Sequence, residues 1–362
     1  MVRYHVFTPL FNERGALRSQ FLGLQSCWMR RYFILFRFIP SLIVLMCFSA
    51  TASFATEPLA KPTQNAFSIR FENDFFGGTD ENYTNGMSLA LTQTGKGLLG
   101  GVWDLFGEAA GNRFATYELT QLMFTPSDLA RSNPDPTDHP YAGLLYLGVT
   151  THLERDNSLH SLKLMAGVAG PAALAEDVQR FAHTVLNSTH AQGWAYQIKN
   201  EPVVNLVYEY RHKYALTPRD AAVGIEFIPM GGAFLGNYLI QAETDVQCRI
   251  GYHLPDDFGT SVLRGISYLP FPQDDKAHHA WGIYAFAGGG ANLVARNLTL
   301  DGNSFAESRS VDKRIFLPVA EFGASLWTQW FQTTFSYVMW GKEFYGQPKR
   351  EDYGSVLLSA FF

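Results

Sequence analysis

The feature that most constrains this chain is a period-two alternation of apolar and polar side chains, repeated in segments of about ten residues. Phe67, Ile69 and Phe71 alternate with Ser68, Arg70 and Glu72, and Val204, Leu206, Tyr208 and Tyr210 with Asn205, Glu209 and Arg211. Phe331, Phe335, Tyr337 and Met339 share a face opposite Gln332, Thr334 and Ser336. Side chains of a strand point alternately to its two faces, so each segment has one apolar and one polar face. About twelve such segments start near Asn65, Thr84, Thr116, Tyr141, Ser158, Val203, Ala221, Tyr238, His279, Lys313, Gln329 and Asp352. That even count is what a single-chain bacterial barrel between lipid and a polar lumen requires. A soluble β-sandwich alternates in the same way, but does not usually combine this with 29 Phe, 17 Tyr, an export signal and a final Phe. The expected fold is all-β: a transmembrane antiparallel β-barrel of about twelve strands.

The ends of the chain support export. From Met29 the sequence gives Arg30 and Arg31, an apolar run from Ile39 to Cys47, and small residues up to Ala55. This is a secretory signal peptide, with cleavage expected after Ala55 and Met29 as the expected start. Its apolar run is too short for an anchor, and no later run of about eighteen apolar residues is available to span a bilayer as a helix. Residues 56–362 are read as one domain, because no internal repeat or linker divides them. The last segment, Tyr353 to Phe362, puts Val356, Leu358, Ala360 and Phe362 on one face. Such a final strand resembles the terminal signature of outer-membrane barrels. A water-exposed edge strand would leave this row exposed.

Removal of residues 1–55 takes away six Arg and one acid. That leaves 22 basic against 32 acidic residues, a net charge of −10. Such a chain gains nothing from a phosphate backbone, which argues against nucleic acid as a partner. Cys248 is then the only cysteine left, so no intramolecular disulfide can form.

One segment breaks the period. Ala172 to Asn187 reads as a helix, with Glu176 and Asp177 early in it, inside a long connection before Val203. With the N-terminal end of the first strand in the periplasm, three polar loops face the cell exterior: Asn73 to Thr84, Thr125 to Asp138, and the helical segment after Gly167.

Two clusters can carry chemistry. Glu72-Asn73-Asp74, Thr79-Asp80 and Tyr83-Thr84-Asn85-Gly86 present several hard oxygens, which suit calcium. The same residue types also build ordinary turns. Gln179 and His183 share one helical face at i, i+4 spacing. A histidine there can serve as general base for water, or can simply be an exposed surface residue. His190 has no obvious partner, and His278 and His279 fall in a periplasmic connection. There is no HExxH, cysteine pair or GxSxG, so a water nucleophile is favoured over an acyl-serine.

These motifs resemble the lipid A 3′-O-deacylase (LpxR) family. The resemblance rests on Phe71-Glu72-Asn73-Asp74, Tyr83-Thr84-Asn85-Gly86, Asp138-His139-Pro140-Tyr141-Ala142-Gly143, and Val178-Gln179 through His183 to Gly193-Trp194. Leu300-Asp301-Gly302-Asn303-Ser304-Phe305 and Lys342-Glu343-Phe344 complete it in family order. The resemblance implies a twelve-stranded outer-membrane barrel whose active site lies between its wall and a helical extracellular loop. It also implies a calcium-dependent ester hydrolase acting on the 3′-acyloxyacyl chain of lipid A in lipopolysaccharide; the chain itself is expected as a monomer. By the same resemblance, Asn73, Asp74 and Thr84 lie at the active site and His183 activates water, with Gln179 one turn before it. A cation near Asn73, Asp74 and Thr84 could then stabilise the oxyanion. The family often has Arg where this chain has His139. The second extracellular loop holds Arg131 but no lysine, which bears on how a lipid A phosphate or carboxylate is recognised. The competing readings are a passive porin-like or structural barrel and a barrel phospholipase.

Overall fold

The alternating segments form a closed wall. The computed structural model describes residues 65–362 apart from 79–80, 106, 108–110, 189, 219–220 and 272–279. The expected signal peptide, Thr79-Asp80 and His278-His279 lie outside the described residues.

The strands are β1 (Asn65–Asn73), β2 (Asn82–Thr94), β3 (Asn112–Thr125), β4 (Ala142–Arg155), β5 (Ser158–Ala169) and β6 (Glu201–His212). After the two-residue β7 (Tyr214–Ala215) come β8 (Val223–Gly236), β9 (Leu239–Tyr252), β10 (Trp281–Asn297), β11 (Phe316–Thr328), β12 (Phe331–Trp340) and β13 (Glu351–Phe361). All but β7 build the wall. The described pairings are antiparallel. β1 pairs with β13 from Ala66↔Phe361 to Asn73↔Gly354, and β6 pairs with β8 from Asn205↔Gly236 to Arg211↔Met230. Those two pairings close a twelve-strand barrel and leave the wall without an edge. Most expected strand starts fall within a few residues of the observed ones, because the period-two signal fixes a strand's phase better than its ends.

The alternation sorts side chains as expected. Phe67, Ile69 and Phe71 are exposed on the outside while Ser68, Arg70 and Glu72 are buried inside, and the β6 rows divide likewise. Among the described residues no helix is long and apolar enough to cross a membrane.

The lumen holds more than strand side chains. The connection after β9 was expected as a periplasmic loop. Instead, residues 253–271 rise from the rim carrying Asn65 and turn back near the rim carrying Asn73. The tip reaches Glu72, whose Oε1 accepts the Leu263 N–H at 2.9 Å. On the way up, Asp257 pairs with Arg249, and Arg211 donates to the Thr260 carbonyl at 2.8 Å. On the way down, Lys163 donates to Ser267 Oγ at 2.9 Å, and Phe271 meets Phe114 edge to face and Phe361 at a tilt. Gly259 serves this path with φ +86, and a Cβ there would come 2.3 Å from Gln247 Oε1. Buried charges on the inner wall need partners, and this segment supplies them. It acts as a plug.

Candidate active site

The Asn73 cluster forms where β1 ends. Asn73 is extended and caps the short 3₁₀ turn Asp74–Gly77, its Oδ1 accepting the Phe75 N–H at 2.9 Å. Its Nδ2 donates to the Thr84 carbonyl at 2.9 Å. A bulge in β2 between Tyr83 and Asn85 makes Thr84 the extra residue, and its hydroxyl lies 2.6 Å from that of Thr125 at the end of β3. Asn73 and Thr84 are therefore brought into direct contact. Asp74 is buried and its Oδ2 accepts the Glu81 N–H at 2.5 Å. Glu351, at the start of β13, is buried and close enough for the two carboxyl groups to interact, with the Asn82 side chain as a hydrogen-bond partner.

The donor chemistry here is all oxygen, which fits a hard cation such as calcium. Among the described residues no three His, Cys, Asp or Glu side chains are grouped to hold a metal by themselves. Amide, hydroxyl, water and substrate oxygens would have to complete a shell of about six to eight.

The helix of the third long connection spans Ala175–Leu186, within the expected Ala172–Asn187, after a 3₁₀ turn at Pro171–Ala173 and Leu174 at φ 60. Ala175, Gln179 and His183 recur at i, i+4 and i+8 and form its buried stripe. This stripe sits on the outer wall at β3 and β4. A Cβ on Gly143 would lie 2.6 Å from that of Ala175, so the small residue permits the close approach. Gln121 Nε2 donates to the Ala173 carbonyl at 2.6 Å, and Met123, Leu129, Tyr141, Ala175 and Trp194 form an apolar cluster beneath the helix. The Trp194 indole donates to Gln179 Oε1 at 2.7 Å, which leaves Gln179 Nε2 buried with no partner among the described residues. The His190 ring lies 6.5 Å from that of His183. The two candidate groups thus occupy neighbouring strands at one rim: Asn73, Thr84 and Thr125 on β1 to β3, Gln179 and His183 over β3 and β4.

The loop before β4 is held from inside. Asp138 accepts from the Ser127 N–H and hydroxyl at 2.8 and 2.5 Å. His139 stacks on Phe124 at 5.4 Å, meets Phe344 edge-on at 6.1 Å, and donates from Nδ1 to the Pro140 carbonyl at 2.7 Å. Burial lowers its pKa, opposed by the charge of Glu343. His139 is therefore an interior residue, while Arg131 pairs with Asp135 at 3.2 Å on the surface.

Sequence reasoning missed the contacts of several contributors, including Trp194 and Thr125, which it places only within a motif and a loop. Trp194, Thr125 and Glu351 lie on elements whose mutual position a single strand pattern does not reveal. Arg264, at the plug tip, binds Glu343 at 2.7 Å and lies over the rings of Tyr83, Phe124 and Trp340. Arg309 donates to the Pro134 carbonyl and Asn133 Oδ1, both at 2.7 Å, and lies over Tyr196, tying three loops together. A signal did exist for the plug. The connection 253–280 is far longer than the others at its rim, and the inner rows of the strands carry many charges.

A family model described as outer membrane protein LpxR matches residues 41–362. No curated protein sequence matches the chain. Among solved structures, LpxR from Salmonella typhimurium aligns with TM-score 0.67 at 19% identity, covering 82% of this chain and 100% of that one. The NanC porin aligns with TM-score 0.34 at 7% identity, covering 82% of this chain and 98% of that one. The translocator domain of autotransporter NalP from Neisseria meningitidis gives 0.33 at 11%, covering 84% and 90%. The first of these likenesses shows the fold.

Proposed function

This chain belongs to the LpxR family of outer-membrane proteins, and on that premise we propose that it is a lipid A 3′-O-deacylase. The observation that carries the reading is the buried stripe of Gln179 and His183, held against the same rim of the wall as Asn73 and Thr84. In this reading His183 removes a proton from water, and the oxygen attacks the carbonyl carbon of the ester at the 3′ position. The carbon becomes tetrahedral and its oxygen takes the negative charge. Gln179 Nε2, a buried donor without a protein acceptor among the described residues, is suited to hydrogen-bond substrate oxygen there. Collapse breaks the bond to the sugar oxygen, which takes the proton from His183. The products are a free acyloxyacyl acid and a 3′-hydroxyl.

Asn73, Asp74 and Thr84 are the residues that would hold calcium, which when bound supplies positive charge for the oxyanion. Asn73 also fixes the β1–β2 corner through its two hydrogen bonds, so the site keeps its shape before substrate arrives. A porin-like reading is disfavoured by the plug, which is bonded to the inner wall at its tip and on both of its arms.

The test is mass spectrometry of lipid A and phospholipids from a bacterium with intact lipid A expressing the chain or His183→Ala. Loss of 3′-linked chains with the parent, but not with an inserted mutant, supports the reading. Unchanged lipid A with calcium supplied would overturn it. Lysophospholipid in its place would point to a phospholipase.

A further inference from the structure

The helix Ala175–Leu186 has three faces, and only two of them have obvious surroundings. Its buried stripe meets the wall. One flank is polar: Arg180 pairs with Glu176 at 2.6 Å and Asp177 at 3.5 Å, and the Thr184 hydroxyl donates to the Arg180 carbonyl. The other flank carries Val178, Phe181 and Val185 at helical spacing, with Leu174 just before them. Phe181 is 72% and Val185 67% exposed. In a helix bathed by water on both flanks, such a row would be a standing liability.

The wall below explains it. Gln121 and Gly143 lie under the helix segment, and the next outward residues of β3 and β4 toward the barrel waist include Leu119 and Leu147, both exposed. Leu119 is two residues from Gln121, about 7 Å along the strand. These leucines belong to the apolar outer belt of an outer-membrane barrel, so acyl chains surround them. The apolar flank of the helix is thus carried by the same two strands whose exposed leucines form that belt. At the Asn73 corner, Phe76 likewise folds down to meet Phe335 of the outer row at 5.8 Å.

We propose that Val178, Phe181 and Val185 seat in the acyl layer of the outer leaflet, so that this flank of the helix faces sideways to lipid and not upward to water. The polar flank then faces the aqueous side, and the helix sits along the membrane boundary as amphipathic interfacial helices do. Lipid contact rests on the barrel's membrane location. Its consequence, that an acyl chain reaches Gln179 and His183 from within the bilayer, rests on the deacylase reading above.

The test reads position without needing activity, so its failure is separate from failure of that reading. Single cysteines replace Phe181, Val185, Asp177 and Leu147 in turn in a Cys248→Ser background, each carrying a nitroxide, with the full chain in phosphatidylcholine vesicles. Labels at 181 and 185 should collide with oxygen and be shielded from a water-soluble nickel chelate, matching the lipid-belt label at 147. The label at 177 should meet the nickel chelate freely. Nickel exposure at 181 and 185 equal to that at 177 would overturn the proposal. Spin–spin broadening at 181 that grows with protein-to-lipid ratio would overturn it in favour of a second copy on this face.

Discussion

The indole N–H of Trp194 donates to Gln179 Oε1 at 2.7 Å, across fifteen residues of sequence. A free carboxamide can present either end. With its oxygen engaged by Trp194, Gln179 can offer only its amino group to the site. In the proposed mechanism Trp194 is thus a positioning residue, packed tilted against Tyr141 at 4.7 Å. Trp194→Phe keeps the packing and removes the donor, and it should lower lipid A turnover about tenfold, the scale of one hydrogen bond. In a Gln179→Ala background the same change should have no further effect. Equal losses in both backgrounds would mean that Trp194 supports the loop and does not orient the amide.

How much of this was legible in the sequence depends on the range of the interaction. Phe67-Ile69-Phe71 against Ser68-Arg70-Glu72 reveals β1 directly, because side-chain direction in a strand is a local property. The helix was visible for the same reason, and with it the shared face of Gln179 and His183. The plug was not. Residues 253–271 have neither period, and their conformation is set by distant wall charges such as Arg211, Lys163 and Arg249. The sequence also shows that His139 follows Asp138, but not that Phe124 stacks on it from a neighbouring strand.

Gly143 is the place to test whether the helix must lie close to the wall. A Cβ there would clash with those of Ala173 and Ala175. Gly143→Val should displace the helix by about an ångström while leaving barrel insertion intact. A shift of that size at a site can reduce turnover by roughly a hundredfold. Heat-modifiable migration on gels checks insertion and lipid A mass spectrometry checks turnover. Full activity in an inserted variant would show that the helix stays productive without this contact.

His139 gives the loop before β4 an acid-sensitive element. Its pKa is lowered below the ordinary 6.5 by burial, with Arg264 acting the same way and Glu343 and Asp138 opposing. Above 6.5 the folded and unfolded loops are both neutral at this position, so stability does not depend on it. Below 6.5 the unfolded loop gains a proton that the folded one resists, so docking weakens as pH falls toward the depressed value. Asp135, lowered by its Thr137 hydrogen bonds and then by Arg131, acts only in the more acidic carboxylate range. Protection of the amides of residues 126–141, corrected for the intrinsic pH dependence of exchange, should therefore fall as pH drops below 6.5, and His139→Phe should remove that dependence. A parent loop with equal protection across that window would contradict the assignment.

The proposed calcium site at Asn73, Asp74 and Thr84 makes a direct prediction. Chelation should abolish deacylation, and added calcium should restore it. Glu351 tests whether the ion lies toward Asp74. Burial holds the Glu351 carboxyl protonated without an ion, and a cation beside Asp74 would favour its ionised form, so Glu351→Gln should raise the calcium needed for half-maximal activity about tenfold. An unchanged calcium requirement in the variant would place the ion away from Glu351, on the Asn73 and Thr84 side.

The plug tip makes a prediction about stability. Arg264 is buried, paired with Glu343 at 2.7 Å, and enclosed by Tyr83, Phe124 and Trp340. Glu343→Gln leaves the guanidinium in place without its counter-charge. Breaking a buried pair in this way costs about 3–5 kcal/mol, and the three rings keep the expected value near the lower end. Urea titration of the refolded barrel in vesicles should show this as a lower midpoint. Arg264→Met in the same background removes the stranded charge and should recover much of the loss, because an apolar side chain of similar length can fill the ring-lined space. If Glu343→Gln alone were neutral, the tip would not be anchored by this pair. The contact from Leu263 to Glu72 would then have to hold it against the β1 corner.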